Sequence, residues 1–161
     1  MVNLGSLEAR EIFFMAVERR AAVKWTGDLI RGAGNIHFGS GAIAESPVTW
    51  ASRTEAPGGK TSPEELLAAA HASCFSMALS AGLARARTPP KELDVTATCI
   101  LDKVGDAFRV TEMHLEVAGN VPGATEESFR QQAEAAEKGC PISNALKGNV
   151  KISLKASLVK N

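Results

Sequence analysis

The chain has 161 residues, 45% of them hydrophobic and 22% charged, with 18 basic and 18 acidic side chains. That length and balance fit one globular domain with a sizeable core, and they offer no basic patch for nucleic acid. Three cysteines are too few for a disulfide-stapled secreted scaffold, and no apolar run reads as a full membrane span of roughly 18 residues.

The opening MVNLGSLEAREIFFM lacks the basic, apolar and small-residue regions of a signal peptide. The expectation is a cytoplasmic protein whose thiols stay reduced. Residues 1–19 read as an N-terminal extension, with 1–15 lying upstream of a more ordinary start at Met15, and residues 20–161 as one domain. RAAVKWT (20–26) alternates, with Ala21, Val23 and Trp25 on one face, and predicts a strand. GDLIRGAGNIHF reads as a turn and a second strand, PVTWASR (47–53) as a third, and TEAPGGK as an open loop. SPEELLAAAHASCFSMALSAGLARAR is the clearest helix. Ser62 is its N-cap, Pro63 its first position and Glu65 the far side of a capping box. No charge interrupts Leu66 to Leu83, which predicts a helix covered on nearly every side; Leu66, Ala69, Ala70, Ser73, Cys74, Met77 and Ala81 follow at helical spacing. Arg85 and Arg87 suit its C-terminal end, and Pro89-Pro90 stops it. LDVTATCIL is a strand with Cys99 on its apolar face. AFRVTEMHLEVAG is another, whose apolar phase switches between Val110 and Met113, predicting a bulge near Thr111. TEESFRQQAEAAEK (125–138) reads as a helix with Phe129, Ala133 and Ala136 inward and Gly139 at its end. CPISNAL opens a short helix at Pro141, and GNVKISLKASLVK is a half-exposed closing strand. The order β-β-β-α-β-β-α-α-β is that of an α+β fold with mostly antiparallel strands.

Cys74 by itself reads as a small buried hydrophobe in an alanine-rich helix. Cys140 lies between a helix-ending glycine and a helix-starting proline, near free backbone N–H groups that lower thiol pKa values. Cys99 reads as core. A peroxidatic thiol must be ionised, and mid-helix Cys74 needs a fixed cation for that, a role for which arginine suits best. Arg31 and Arg53 both sit beside loops from which a guanidinium can reach inward. Glu64 has no capping duty and can hold such a guanidinium by paired hydrogen bonds. Ten residues of helix span about 15 Å, so Glu64 cannot meet Cys74 of its own helix. A site with Glu64, an arginine and Cys74 therefore predicts a homodimer in which two copies of the helix cross. His71, three residues before Cys74, leaves open a Cys–His hydrolase or acyltransferase, and an apolar-ligand-binding protein without catalysis is a further alternative. Cys74, His71 and Cys140 match no standard zinc spacing.

With these residues assembled, the chain resembles the OsmC/Ohr family of thiol peroxidases, through WTGDLIRGAG, KTSPEELLAAAHASCFSMALS, LDKV and KGCPISNALK over residues 20–160. Ala70-His71 points to the OsmC (osmotically inducible protein C) branch. The resemblance implies an intertwined homodimer, its sheets wrapped around a long central helix, with two active sites at the subunit interface. It implies Cys74 as peroxidatic thiol, Cys140 as resolving thiol joined to it in a disulfide, and Glu64 paired with Arg53, or with Arg31 on the Ohr pattern. It implies no cofactor, no metal and no membrane partner, and an outside dithiol, such as a lipoylated protein, as reductant. The apolar flank at Leu67, Phe75 and Met77 predicts a preference for organic hydroperoxides over hydrogen peroxide.

Overall fold

In the computed structural model, which describes residues 16–159, the elements are β1 (Ala21–Thr26), β2 (Ala33–Phe38), β3 (Ser46–Val48), α1 (Trp50–Thr54), α2 (Pro63–Arg85), β4 (Glu92–Val104), β5 (Ala107–Asn120), α3 (Glu126–Gly139), α4 (Pro141–Leu146) and β6 (Lys151–Leu158). The expectations placed on residues 1–15 lie outside the described residues. The fold is α+β, as the sequence predicts, with one departure. PVTWASR is a three-residue strand followed by a helical turn, because Thr49 and Ser52 cap each other reciprocally: Thr49 Oγ1 accepts from the Ser52 N–H at 3.1 Å, and Ser52 Oγ accepts from the Thr49 N–H at 3.0 Å.

Strands β1, β2 and β3 form one antiparallel sheet. The second sheet has the order β4-β5-β6, with β4 and β5 antiparallel and β6 parallel to β5. A parallel pair needs a crossover, and α3 and α4 supply it. The bulge falls at Thr111: Ile100 pairs with Glu112 and Leu101 with Val110, leaving Thr111 as the extra residue. It switches which residues of β5 face inward, so that Met113, Leu115 and Val117 are buried.

Helix α2 begins as predicted, with Ser62 Oγ accepting from the Glu65 N–H at 3.1 Å and Pro63 in the first turn. The capping box is half made, because the Glu65 carboxylate takes the Thr61 hydroxyl at 2.6 Å instead. The expectation of a helix covered on all sides is corrected. Within one chain the buried row is His71, Phe75, Leu79 and Leu83, four residues apart and turned onto the second sheet and α3. Ala69, Ala70, Ser73, Met77 and Ala81 lie on the uncovered side, and Met77 keeps 67% of its surface. The helix is also long and apolar enough, by length and composition, to cross a membrane, which corrects the reading that no run reaches that length. In the fold it packs along β4 and α3. Its buried row joins Leu115, Val117, Val121, Phe129 and Ala133 in one core, and each fully buried Leu or Phe contributes about 1.5–3 kcal/mol. The first sheet stands largely apart from that core, and every residue of β1 is exposed.

Phe129 fits against β5 because residue 119 is glycine: a Cβ there would lie 2.6 Å from Phe129 Cζ. Gly119→Ala is expected to cost about 1–3 kcal/mol in urea unfolding through overpacking. Gly139→Ala, where a Cβ meets nothing within 4 Å, is the control and should stay within about 0.5 kcal/mol of the parent.

Candidate active site

Two clusters carry chemistry, at different points along α2. The first is at its N-terminal end. Glu64 follows the proline of the first turn, where the helix dipole favours a carboxylate. Arg53 ends the α1 turn and reaches it: Arg53 Nε and Nη2 both donate to Glu64 Oε1, at 3.0 and 2.7 Å. The guanidinium also lies over the Trp50 ring, 5.8 Å from its centroid, and Trp50 meets Phe108 edge-on at 5.4 Å. Arg53 is thus held by a carboxylate and an aromatic face at once. Trp50 was not foreseen as a site residue; the signal was its three-residue spacing from Arg53, which a helix converts into a shared face. Glu64 keeps 10% of its side-chain surface, and its second oxygen, Oε2, has no hydrogen-bond partner. Arg31 is exposed on the turn after β1, where Asp28 caps the backbone N–H groups of Ile30 and Arg31 at 2.9 and 2.8 Å; Glu64 takes Arg53 as its partner, not Arg31.

The second cluster is near the middle of α2. Cys74 is half-buried and Cys140 fully buried, and both thiols are free. Cys140 is the last cap of α3 and the first of α4, its N–H donating to Glu137 O and its carbonyl accepting from Asn144 N. That junction turns Cys140 toward α2. Cys74 packs against the buried cluster that includes Cys140, near enough for the Cys140 thiol and the Ile142 backbone N–H to act on its sulfur. Burial pushes the Cys74 thiol above its ordinary value and the Cys140 thiol adds to the rise, while the Ile142 N–H pulls it down. His71 does not make the Cys–His pair a hydrolase would use. Its Nε2 is 2.8 Å from Ser143 Oγ, it is fully buried, and burial lowers its pKa and holds it neutral. Among the described residues no group of three or more His, Cys, Asp or Glu side chains is arranged to hold a metal ion.

Within one chain the two clusters do not meet. The thiol that feels the charge of Glu64 is Cys99, half-buried on β4, whose pKa rises first through burial and then through that carboxylate. Phe75 is core, fully buried in the inward row of α2, and not part of a substrate flank. Arg53 instead borders an apolar cleft of about 430 Å³ lined by Val23, Trp25, Leu29, Ile36 and Trp50.

Residues 56–155 match the family described as OsmC-like protein. The chain belongs to the OsmC family. Among its relatives, Peroxiredoxin OsmC of Escherichia coli is 39% identical over 136 residues, 84% of this chain and 94% of that one. An organic hydroperoxide resistance protein of Xanthomonas axonopodis is 31% identical over 62% of this chain and 68% of its own. The fold is shared with the solved OsmC organic hydroperoxide resistance protein of Legionella pneumophila (TM-score 0.72, 23% identity, 89% of this chain and 99% of that one). It is shared also with OhrB of Bacillus subtilis (TM-score 0.69, 24% identity, 86% and 98%).

The burial of His71 has a consequence for stability. Its folded pKa lies below the ordinary 6.5, so near and below that pH the unfolded chain binds more protons than the folded one. Stability is then full above about pH 6.5 and falls as the pH drops below it. His71→Gln should lack that component, its urea midpoint declining less between pH 7.5 and 5 than the parent's; parallel declines would show that His71 contributes none of it.

Proposed function

We propose that this protein is a thiol peroxidase that reduces organic hydroperoxides, and hydrogen peroxide less well, with Cys74 as the attacking thiol and Cys140 as the resolving one. The observation that carries the reading is the packing of Cys74 of α2 against the buried cluster that holds Cys140 of the α3–α4 junction, near enough for each thiol to act on the other. The names of the relatives, peroxiredoxin and organic hydroperoxide resistance protein, support the same chemistry. In the first step the Cys74 thiolate attacks the distal peroxide oxygen: an S–O bond forms, the O–O bond breaks, and the alkoxide takes a proton and leaves as alcohol. In the second, the Cys140 sulfur attacks the Cys74 sulfenic acid; the S–S bond forms and the oxygen leaves as water. An external dithiol, such as a lipoyl group on a protein, then reduces the disulfide and is itself oxidised. A reducing compartment, the cytoplasm, is the setting proposed for three free cysteines.

The second part of the proposal is a homodimer that brings Arg53 and Glu64 of one subunit to Cys74 of the other. Three features support it. Burial raises the Cys74 pKa in the single chain, so a thiolate there needs a cation from outside the chain's own core. An antiparallel crossing of two α2 helices centred on Ala69 would set residue 64 of one opposite residue 74 of the other, and Ala69, Ala70 and Ser73 are small and exposed there. Exposed apolar side chains, among them Val23, Trp25, Leu29 and Met77, await a covering surface. The cleft beside Arg53 is the place proposed for the alkyl tail of the peroxide.

One equivalent of cumene hydroperoxide should convert the reduced protein to a Cys74–Cys140 disulfide with Cys99 left free, as read by peptide mass spectrometry. Thiols left unchanged would favour ligand binding without catalysis instead. Cys74→Ser should abolish turnover. A shared site makes a further demand: Arg53→Met and Cys74→Ser, each inactive alone, should recover about a quarter of parental activity when their subunits are exchanged in equal amounts. No recovery in subunits shown to have exchanged would place the whole site in one chain.

A further inference from the structure

We infer that the His71–Ser143 hydrogen bond is a clamp that sets the approach of Cys140 to Cys74 and so governs the disulfide-closing step, with His71 and Ser143 as positioning residues; this rests on the thiol-peroxidase reading above. The argument starts from spacing. His71 and Cys74 are three residues apart on α2, and Cys140 and Ser143 are three apart at the start of α4. The two pairs face each other as two rungs, His71 to Ser143 at 2.8 Å and Cys74 to Cys140, with Cys74 packed against the buried cluster that holds Cys140. His71 and Cys140 are fully buried and Ser143 is 2% exposed.

Helix α4 needs such an anchor. It has six residues and no side-chain hydrogen bond at its N-cap, and a helix that short is not stable by itself. Asn144 Nδ2, which donates to Lys138 O and Cys140 O at 3.1 Å, ties the segment to its own neighbours and not to α2. The His71–Ser143 bond crosses from α4 to α2 three residues from the reacting sulfurs. Its partners are neutral, since burial holds His71 unprotonated.

Closing a disulfide demands close approach and a defined dihedral at the two sulfurs, and small errors in placement slow such a step steeply. A Cys74 sulfenic acid that waits for Cys140 is open to a second peroxide, which takes it to the sulfinic acid. The clamp therefore decides how oxidised Cys74 divides between disulfide and over-oxidation, while leaving the first attack on peroxide alone.

The test follows a single turnover of the reduced protein with cumene hydroperoxide. Peroxide loss reports the first step, and quenched mass spectrometry reports sulfenic acid (trapped with dimedone), sulfinic acid and disulfide. In Ser143→Ala, and in His71→Leu/Ser143→Ala, which removes both polar partners and so leaves no buried orphan to unfold the protein, disulfide closure should slow on the order of tenfold. Peroxide loss should keep its parental rate and the sulfinic fraction should rise. Ser143→Thr, which retains the hydroxyl, should close at the parental rate. A merely structural role would lower the melting temperature without changing the ratio of the two step rates. Closure at the parental rate or faster in the folded double variant would overturn the clamp while leaving the peroxidase reading intact. A parent protein that consumes peroxide without forming the Cys74–Cys140 disulfide would overturn the clamp together with the resolving role of Cys140, and one that leaves peroxide unconsumed would overturn the peroxidase reading itself.

Discussion

Glu64 and Cys74 are ten positions apart on one unbroken α-helix, and at about 1.5 Å per residue no side-chain rearrangement brings the two together. Most of the functional organisation follows from that rigidity. The same helix carries an ion pair at one end and a thiol pair near its middle, and its own sequence keeps them apart. The inward row of His71, Phe75, Leu79 and Leu83 fixes its rotation, so Cys74 sits at the edge of the buried face, half-covered, one residue before Phe75. A helix free to roll could place Cys74 in the core or in solvent. This one can do neither, because turning it would expose Phe75, Leu79 and Leu83, at about 1.5–3 kcal/mol each.

The three cysteines show how little residue type says about reactivity. Cys140 is fully buried at a helix junction, Cys74 is half-buried against it, and Cys99 is half-buried on a strand beside a carboxylate. Burial raises the pKa of both Cys74 and Cys99, and what separates them is the second influence. Cys74 has a backbone N–H from Ile142 aimed at its sulfur, which favours the anion. Cys99 has the negative charge of Glu64, which disfavours it. Glu64 thus adds to the raised pKa of the Cys99 thiol in its own chain while holding Arg53 in the ion pair that the proposed dimer would offer to Cys74.

What was legible in the sequence is what is local. The cap at Ser62, the bulge at Thr111, the end of α3 at Gly139 and the start of α4 at Pro141 are each written within a few residues, and each formed where read. The α1 turn was written as locally, in Thr49 and Ser52, but with serine where a capping box usually has glutamate, and the alternation of PVTWASR masked it. That Glu64 pairs with an arginine could be reasoned from chemistry, the preference for Arg53 over Arg31 came from the family resemblance, and the hydrogen bonds from Arg53 agree with it. Two errors share one cause. The helix from Leu66 to Leu83 reads as covered on nearly every side and Phe75 as substrate flank, because an apolar helix without charges has no polar side to show which way it turns. Only its neighbours, β4 and α3, settle that.

Glu64 also leaves a buried acceptor unused within the single chain. One of its oxygens accepts two hydrogen bonds from Arg53 while the other, buried, accepts none. A carboxylate nine-tenths removed from water with half its acceptor capacity unused is an expense that folded proteins seldom tolerate. The apolar deficit lies in the same region. Trp25 and Leu29 are exposed at the cleft that Arg53 borders, and farther along α2 Ala69, Ala70 and Met77 face outward. A partner that brings both donors and apolar side chains, as the proposed dimer would, answers the polar want and the apolar one together. Water would satisfy Oε2 and leave Trp25 and Met77 exposed; an apolar ligand would fill the cleft and leave the carboxylate unpaired. A second copy of α2, crossing at Ala69 as in the proposed dimer, would carry small residues to the crossing and a thiol pair five residues beyond it.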